Sequence, residues 1–379
     1  MAKEAATENR LRILNLIVVL ALFLGALALV LGSEMLSDYA IHPPRKGDPR
    51  SDSEHATAIA RQNHSSVESV NIHAPDGVVL HAWWLVPAHP SGKVVFVLHG
   101  IADSSVSALG FAPLFLDHGY TVLAPDSRGH GQSGGIATYG VLESHDLVEW
   151  ANWVRQKSAS NAMFGLGESL GGSIVLQSLR AGAPFRAVVA ECAFASFKEI
   201  ARERLRRSGH IPVLPSLIVF TGMEYVKVRY GVDLSQANTV AAVAGAHVPM
   251  LLIHGLADDR TSPENSRELA AANPRWTQLW LVPGAGHTGA YKTAPAEFER
   301  RVLAWFYTPD MSRATLKEGH DYAPIMPPPE QSVNSELRHI ADLIIDNMKD
   351  VPPEIIATMP SDGASQHDHY IYGWPKKEE

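Results

Sequence analysis

Only one cysteine, Cys192, occurs among 379 residues, so no intramolecular disulfide can form and the hydrophobic core has to supply the stability. No Cys/His cluster has the spacing of zinc ligands, and no metal or other cofactor is expected. A glycine-rich phosphate loop followed by Lys-Ser or Lys-Thr is also missing, which removes that class of nucleotide binder. Basic residues are in deficit: 32 Lys and Arg stand against 40 Asp and Glu, a net charge of −8, which argues against nucleic acid as a partner. With 46% hydrophobic and 19% charged residues, the chain fits one large α/β domain with extensions better than two equal domains. Cys192, inside Val188-Val189-Ala190-Glu191-Cys192-Ala193, reads as a small buried hydrophobe.

The feature that carries most chemistry is Gly167-Glu168-Ser169-Leu170-Gly171. It follows the apolar run Ala162-Met163-Phe164-Gly165-Leu166 and opens a helical stretch from Gly172 to Leu179, the strand-turn-helix context of a nucleophilic serine. Small residues at Gly167 and Gly171 let strand and helix pass closely enough to hold the serine in a strained turn. The same pentapeptide also describes an ordinary helix N-cap beside packing glycines, so partners have to decide. A serine hydroxyl needs a base within hydrogen-bond reach and an acid to orient that base. Downstream, the apolar stretch Val248 to Gly255 leads into a loop with Asp258 and Asp259, and Trp276 to Val282 ends in Pro283-Gly284-Ala285-Gly286-His287. Both polar groups leave the C-terminal ends of expected strands, the edge at which open parallel sheets bind ligands.

This arrangement resembles an α/β-hydrolase. The order Ser169, Asp258, His287 is that fold's Ser, acid, His order. Lys93 to Ile101, with its His99-Gly100 turn, resembles the family's third strand, and Asp126-Ser127-Arg128-Gly129-His130-Gly131-Gln132-Ser133 resembles the loop after its fourth. The four motifs span roughly residues 67 to 308. The resemblance implies a mostly parallel sheet with helices on both faces and a small cap, about residues 195 to 246, after the sixth strand. It also implies Ser169 as nucleophile, His287 as general base and Asp258 as the acid, with Asp259 the neighbouring alternative. The backbone amides of Leu170 and Ile101, or of Ala102 in place of Ile101, would form an oxyanion hole. His99, His130 and His254 adjoin glycines in turns and are expected to organise loops; Glu168 is expected to be structural.

From Ile13 to Leu31 only Asn15 is polar, long enough as a helix to approach the ~30 Å of a bilayer core. Residues 13–32 are therefore read as a transmembrane signal anchor. Lys3, Arg10 and Arg12 precede it, which keeps residues 1–12 in the cytoplasm and carries the catalytic domain across the membrane. A cleaved signal peptide is the rival, but its apolar core would be shorter. Residues 33–66, with Pro43, Pro44 and Pro49, read as a linker that sets location only. Val67 to His73 and Val78 to Val86 flank an Asp76-Gly77 tip, a hairpin signal. Within the cap, Arg202, Arg204, Arg206 and Arg207 mark a charged helix, and the apolar stretch from Ile211 to Phe220 suits an acyl pocket, a membrane contact or plain packing. Residues 309–379 form an extension of unassigned role. Pro327 to Pro329 mark a linker there, Ser335 to Met348 an amphipathic stretch, and His367 and His369 a weak metal motif.

Taken together, the chain is expected to be a membrane-anchored serine hydrolase acting on a small-molecule or lipid-like ester or related acyl compound. A serine peptidase of the aminopeptidase or prolyl-oligopeptidase type is the nearest alternative. A non-catalytic binding protein on the same fold is the alternative from another class.

Overall fold

The computed structural model describes residues 2–158, 162–207 and 214–307; the features expected at residues 309–379 and at 211–213 lie outside them. Eight strands form one sheet in the order β1-β2-β4-β3-β5-β6-β7-β8. They are β1 (Ser65–His73), β2 (Val79–Pro87), β3 (Lys93–Leu98), β4 (Thr121–Pro125), β5 (Ala162–Glu168), β6 (Phe185–Glu191), β7 (Met250–Gly255) and β8 (Thr277–Val282). The β1-β2 and β2-β4 pairs are antiparallel and every later pair is parallel. The hairpin closes at Asp76-Gly77, with the Ala74 amide donating to the Val78 carbonyl.

The central strands are buried on both faces because helices cover both. Along β3, Val95 and Val97 join one core with Phe115, Phe164 and Phe306, whereas Val94, Phe96 and Leu98 join the other with Trp150, Ile174 and Leu252. This period-two split is what a two-sided sheet requires. The helices, in chain order, are α1 (Ala2–Ile41), α2 (Pro49–Gln62), α3 (Ser105–Ala108), α4 (Ala112–Leu116), α5 (Glu143–Lys157), α6 (Leu170–Ala181), α7 (Phe197–Arg207), α8 (Leu214–Tyr230), α9 (Thr239–Ala244), α10 (Glu264–Ala272), α11 (Ala290–Thr293) and α12 (Pro295–Tyr307). Between β3 and β4 the chain forms two short helices, α3 and α4, joined by a 3-10 turn at Leu109–Phe111. Gly110 and Pro113 explain the break, since proline has no amide for the helix ladder.

The expected linker, 33–66, differs most from its sequence reading. α1 continues without a break to Ile41, and α2 occupies Pro49–Gln62. Pro49 stands in the first helical turn, where its missing N–H costs nothing, and the Asp48 side chain accepts the Ser51 amide at 3.1 Å. Ala56, Ile59 and Ala60 give α2 a buried apolar face, so proline and polar content here punctuate helices rather than loosen a tether.

α1 is also the one helix among the described residues long and apolar enough to cross a membrane. From Ile13 to Leu24 every leucine, isoleucine, valine and phenylalanine is exposed. Its last turns behave differently and pack on α8. Ile41 is fully buried in a small cluster with Phe197, Val226 and Leu234. α7, α8 and α9 all lie in the connection between β6 and β7, the position expected for the cap.

Candidate active site

Ser169 lies between β5 and α6 with φ +52° and ψ −113°, a left-handed backbone rare for a residue with a side chain. The close approach that holds it there is visible in the two glycines. A Cβ on Gly167 would stand 2.4 Å from the Gly171 carbonyl, and one on Gly171 would stand 2.6 Å from the Leu98 and His99 carbonyl oxygens. The Ser169 amide donates to the Glu191 carbonyl of β6 at 2.7 Å, pinning the turn to the neighbouring strand.

The loop after β8 brings His287 to the same point. Its Nε2 lies 2.9 Å from Ser169 Oγ and its Nδ1 lies 2.7 Å from Asp258 Oδ2. Asp258 is buried in the loop after β7, where its Oδ1 accepts the Arg260 amide at 2.8 Å and the Thr261 amide at 2.9 Å. Burial would raise this carboxyl, but hydrogen bonds from His254, His287 and the Thr261 amide outweigh it and hold the group well below the usual carboxylate range. Asp259 is exposed. Three groups from loops far apart in sequence thus form one relay able to draw a proton from the serine hydroxyl and share the resulting imidazolium with a carboxylate. Ile101, Ala102 and Leu170 line the cavity beside Ser169. Among the described residues, no acceptor takes the Ile101 or Leu170 amide.

His99, His130 and His254 hold loops in place. His99 Nε2 accepts the Ser127 amide at 3.0 Å and its Nδ1 donates to the Gly100 carbonyl at 2.7 Å, which fixes the neutral tautomer; burial pushes its pKa down. His130 is lowered to about 4, by burial first and then by His99. His254 does more than the sequence suggests. Its Nε2 stands 3.2 Å from Asp258 Oδ2 and 2.9 Å from the Thr261 carbonyl, while Nδ1 meets Ser266 Oγ at 2.7 Å. The i, i+4 spacing of His254 and Asp258 is a signal only once the strand is known to end between them.

Two glutamates adjoin Ser169: Glu168 precedes it in the chain, and the Glu191 carbonyl accepts its amide. Burial pushes Glu168 up to about 8, with the Glu191 carboxyl adding to it. Glu191 is pushed up to about 7 by burial, against the lowering effect of the Ala290 amide that its Oε1 accepts at 2.8 Å. Cys192, Asp258 and His287 offer donor atoms within 4.8 Å of one another. Asp258 and His287 already face each other, however, and burial pushes the Cys192 thiol up, away from the thiolate a metal would take.

A cavity of about 400 Å³ opens over Ser169. Its walls come from the loop after β3, from Phe194 and Phe197, from α7 and α8 and, unforeseen in the sequence, from Leu36, Ser37, Tyr39 and Ala40 of α1. Arg204 is the single charged side chain among the described residues lining it.

A strained serine on a strand-to-helix turn, facing a histidine and an acid from the same edge of a mostly parallel sheet, defines the hydrolase class of α/β proteins. Comparison with known proteins agrees. The alpha/beta hydrolase fold family matches residues 93–212. The uncharacterized protein YqkD of Bacillus subtilis is 30% identical over 212 residues, covering 54% of this chain and 68% of the relative. Among solved structures, the Pyrococcus furiosus esterase Pf2001 superposes with a TM-score of 0.54 at 24% identity, over 70% of this chain and 98% of its own. A Mycobacterium tuberculosis puromycin-hydrolyzing peptidase gives 0.53 at 18% identity, over 64% and 39%. At such identities the two structures speak to the fold alone. The chain belongs to the α/β-hydrolase superfamily.

Proposed function

We propose that this protein is a membrane-anchored serine hydrolase that cleaves carboxylic esters or related acyl compounds through an acyl-enzyme. The observation that carries the reading is the continuous relay from Ser169 Oγ through His287 to Asp258. Ser169 Oγ attacks the carbonyl carbon as its proton passes to His287 Nε2, and Asp258 fixes the imidazole tautomer and stabilises the imidazolium. The negative charge on the former carbonyl oxygen is met by the Leu170 and Ile101 amides. When the tetrahedral adduct collapses, His287 returns the proton to the departing alcohol. Water then attacks the acyl-enzyme with His287 again taking a proton, releasing the acid and restoring Ser169.

Ester chemistry is favoured over an aminopeptidase because the cavity wall includes no carboxylate among its described residues, and a substrate ammonium would need one. Membrane attachment is supported by the exposed apolar surface of α1, which water disfavours at about 25 cal/mol per Å². The basic residues Lys3, Arg10 and Arg12 before it favour a cytoplasmic N-terminus with the catalytic domain on the other side.

The test is covalent labelling by a fluorophosphonate together with hydrolysis of p-nitrophenyl esters. The full-length protein should be labelled at Ser169, and Ser169→Ala should lose label and turnover by orders of magnitude while keeping its thermal midpoint. Undiminished turnover in a purified Ser169→Ala sample would overturn the serine-hydrolase reading, and a chain with neither label nor turnover would be a binding protein.

A further inference from the structure

We propose that the C-terminal end of α1 is a specificity-determining wall of the catalytic pocket, and that the pocket takes the acyl chain of a long-chain ester drawn from the bilayer in which α1 sits. The proposal rests on the ester-hydrolase and membrane readings above and adds the substrate class.

α1 is not merely near the cap; it is fastened to it. Ser33 Oγ meets Thr221 Oγ1 of α8 at 3.0 Å. Gly222 lies so close that a Cβ there would stand 2.3 Å from Ser37 Oγ. The Tyr225 and Tyr230 hydroxyls donate to the Asp38 carboxylate at 3.1 and 2.8 Å. On the domain side, the Tyr139 hydroxyl donates to the Ala40 carbonyl at 3.0 Å and the Ala137 amide to the Ile41 carbonyl at 2.9 Å. A helix held by bonds to both cap and core presents a fixed surface. Leu36 and Ala40 belong to that surface and line the cavity together with Met223 of α8 and Ser169.

The position of this wall along α1 identifies the substrate. α1 is a single uninterrupted helix, so Leu36 lies only ~7.5 Å along its axis beyond Leu31, the last residue of the apolar run. The polar layer on each side of a bilayer core is about 5 to 8 Å deep. The cavity therefore opens at the level where the ester of a membrane amphiphile resides, with its chain on one side and its head group on the other. Exposed side chains on the same two helices support this placement: Tyr39, which lines the cavity, and Met35 and Phe220, next in sequence to the lining residues Leu36 and Val219, are 68%, 75% and 61% exposed, apolar and aromatic groups suited to the membrane interface. A cavity of about 400 Å³ with mostly apolar walls falls in the ~300 to 1,000 Å³ range of sites that enclose a small ligand. A short soluble ester would leave most of it unfilled.

The experiment uses the full-length protein in phosphatidylcholine nanodiscs, comparing kcat/KM for p-nitrophenyl palmitate with that for p-nitrophenyl acetate. The parent should prefer palmitate, and Ala40→Trp, which fills the pocket from the α1 side, should lower the palmitate-to-acetate ratio by about tenfold or more. Leu20→Trp, on the same helix but in its 54% exposed apolar belt, should leave the ratio at the parent's value. An unchanged ratio in Ala40→Trp overturns the proposal. A second measurement avoids any variant: a long-chain alkyl fluorophosphonate with a terminal diazirine is added to the parent. Ser169 Oγ displaces fluoride as the P–O bond forms, the serine proton leaving with it as HF, and illumination then joins the chain end to whatever lines the pocket. Attachment to the segment Leu36 to Ala40 is expected, and attachment elsewhere only, α8 included, would overturn the proposal. Labelling at Ser169 without such attachment sinks the acyl-wall proposal alone, whereas no labelling at Ser169 sinks the hydrolase reading and the proposal with it.

Discussion

Replacing Asp258 by asparagine should cripple turnover for a reason written in its hydrogen bonds. The two carboxylate oxygens have different duties: Oδ1 accepts the Arg260 and Thr261 amides, at 2.8 and 2.9 Å, while Oδ2 faces His287 Nδ1 at 2.7 Å and His254 Nε2 at 3.2 Å. An asparagine has one oxygen, and two fixed backbone donors claim it at the Oδ1 position. The NH₂ group is then turned toward His287 Nδ1, which must become an acceptor. The ring proton moves to Nε2, the atom 2.9 Å from Ser169 Oγ, and the histidine can no longer take the serine proton. In a Ser-His-Asp enzyme the wrong tautomer costs about 10⁴ in kcat, or ~5.5 kcal/mol of transition-state stabilisation. Asp259→Asn should stay within about twofold of the parent, since its side chain is exposed. Steady-state hydrolysis of a p-nitrophenyl ester by both variants, with thermal midpoints recorded alongside, decides the matter. Asp258→Asn retaining a tenth or more of parental kcat/KM, or Asp259→Asn losing as much as Asp258→Asn, would refute the assignment.

Glu191 makes stability depend on pH. Its folded pKa of about 7 lies above the ordinary value of 4.5, so its contribution is full below about 4.5 and is lost as pH rises through about 7. The loss should reach about 3 kcal/mol by pH 8; denaturant unfolding of Glu191→Gln at pH 5 and pH 8 should show the dependence removed, and an unaltered slope would contradict the assignment. Ile41→Ala, which empties a fully buried site, should cost about 2 to 5 kcal/mol, read as a lower thermal midpoint of the full-length protein in detergent; a loose tether would register no change. The full-length chain should stay in the membrane fraction through high salt and alkaline carbonate and be released by detergent. Recovery in the carbonate supernatant would remove the anchor from the model of attachment.

The serine turn was legible because its constraint is local: one strand, one turn and one helix must pass within van der Waals reach, and only Gly167 and Gly171 permit it. The loops carrying Asp258 and His287 were legible for a related reason, since apolar strands followed by polar, glycine-rich turns are read from the same short windows of sequence. The order of those loops then pointed to one edge of one sheet, where the fold brings all three side chains together.

What the amino-acid sequence determined by itself, then, was the two-sided sheet, the strained serine and an apolar run long enough to cross a bilayer. Tertiary structure alone decided the rest. That His254 joins His287 on Asp258 depends on how the turn after β7 closes, and that Leu36 and Ala40 border the pocket depends on α1 docking against α8, which begins at Leu214. A polar, proline-bearing segment such as 33–66 reads as a tether because no periodicity within it reports what a partner far along the chain will bury. Burial of Ile41 and pairing of Asp38 with two tyrosines exist only after the cap has folded, so no local pattern could encode them visibly.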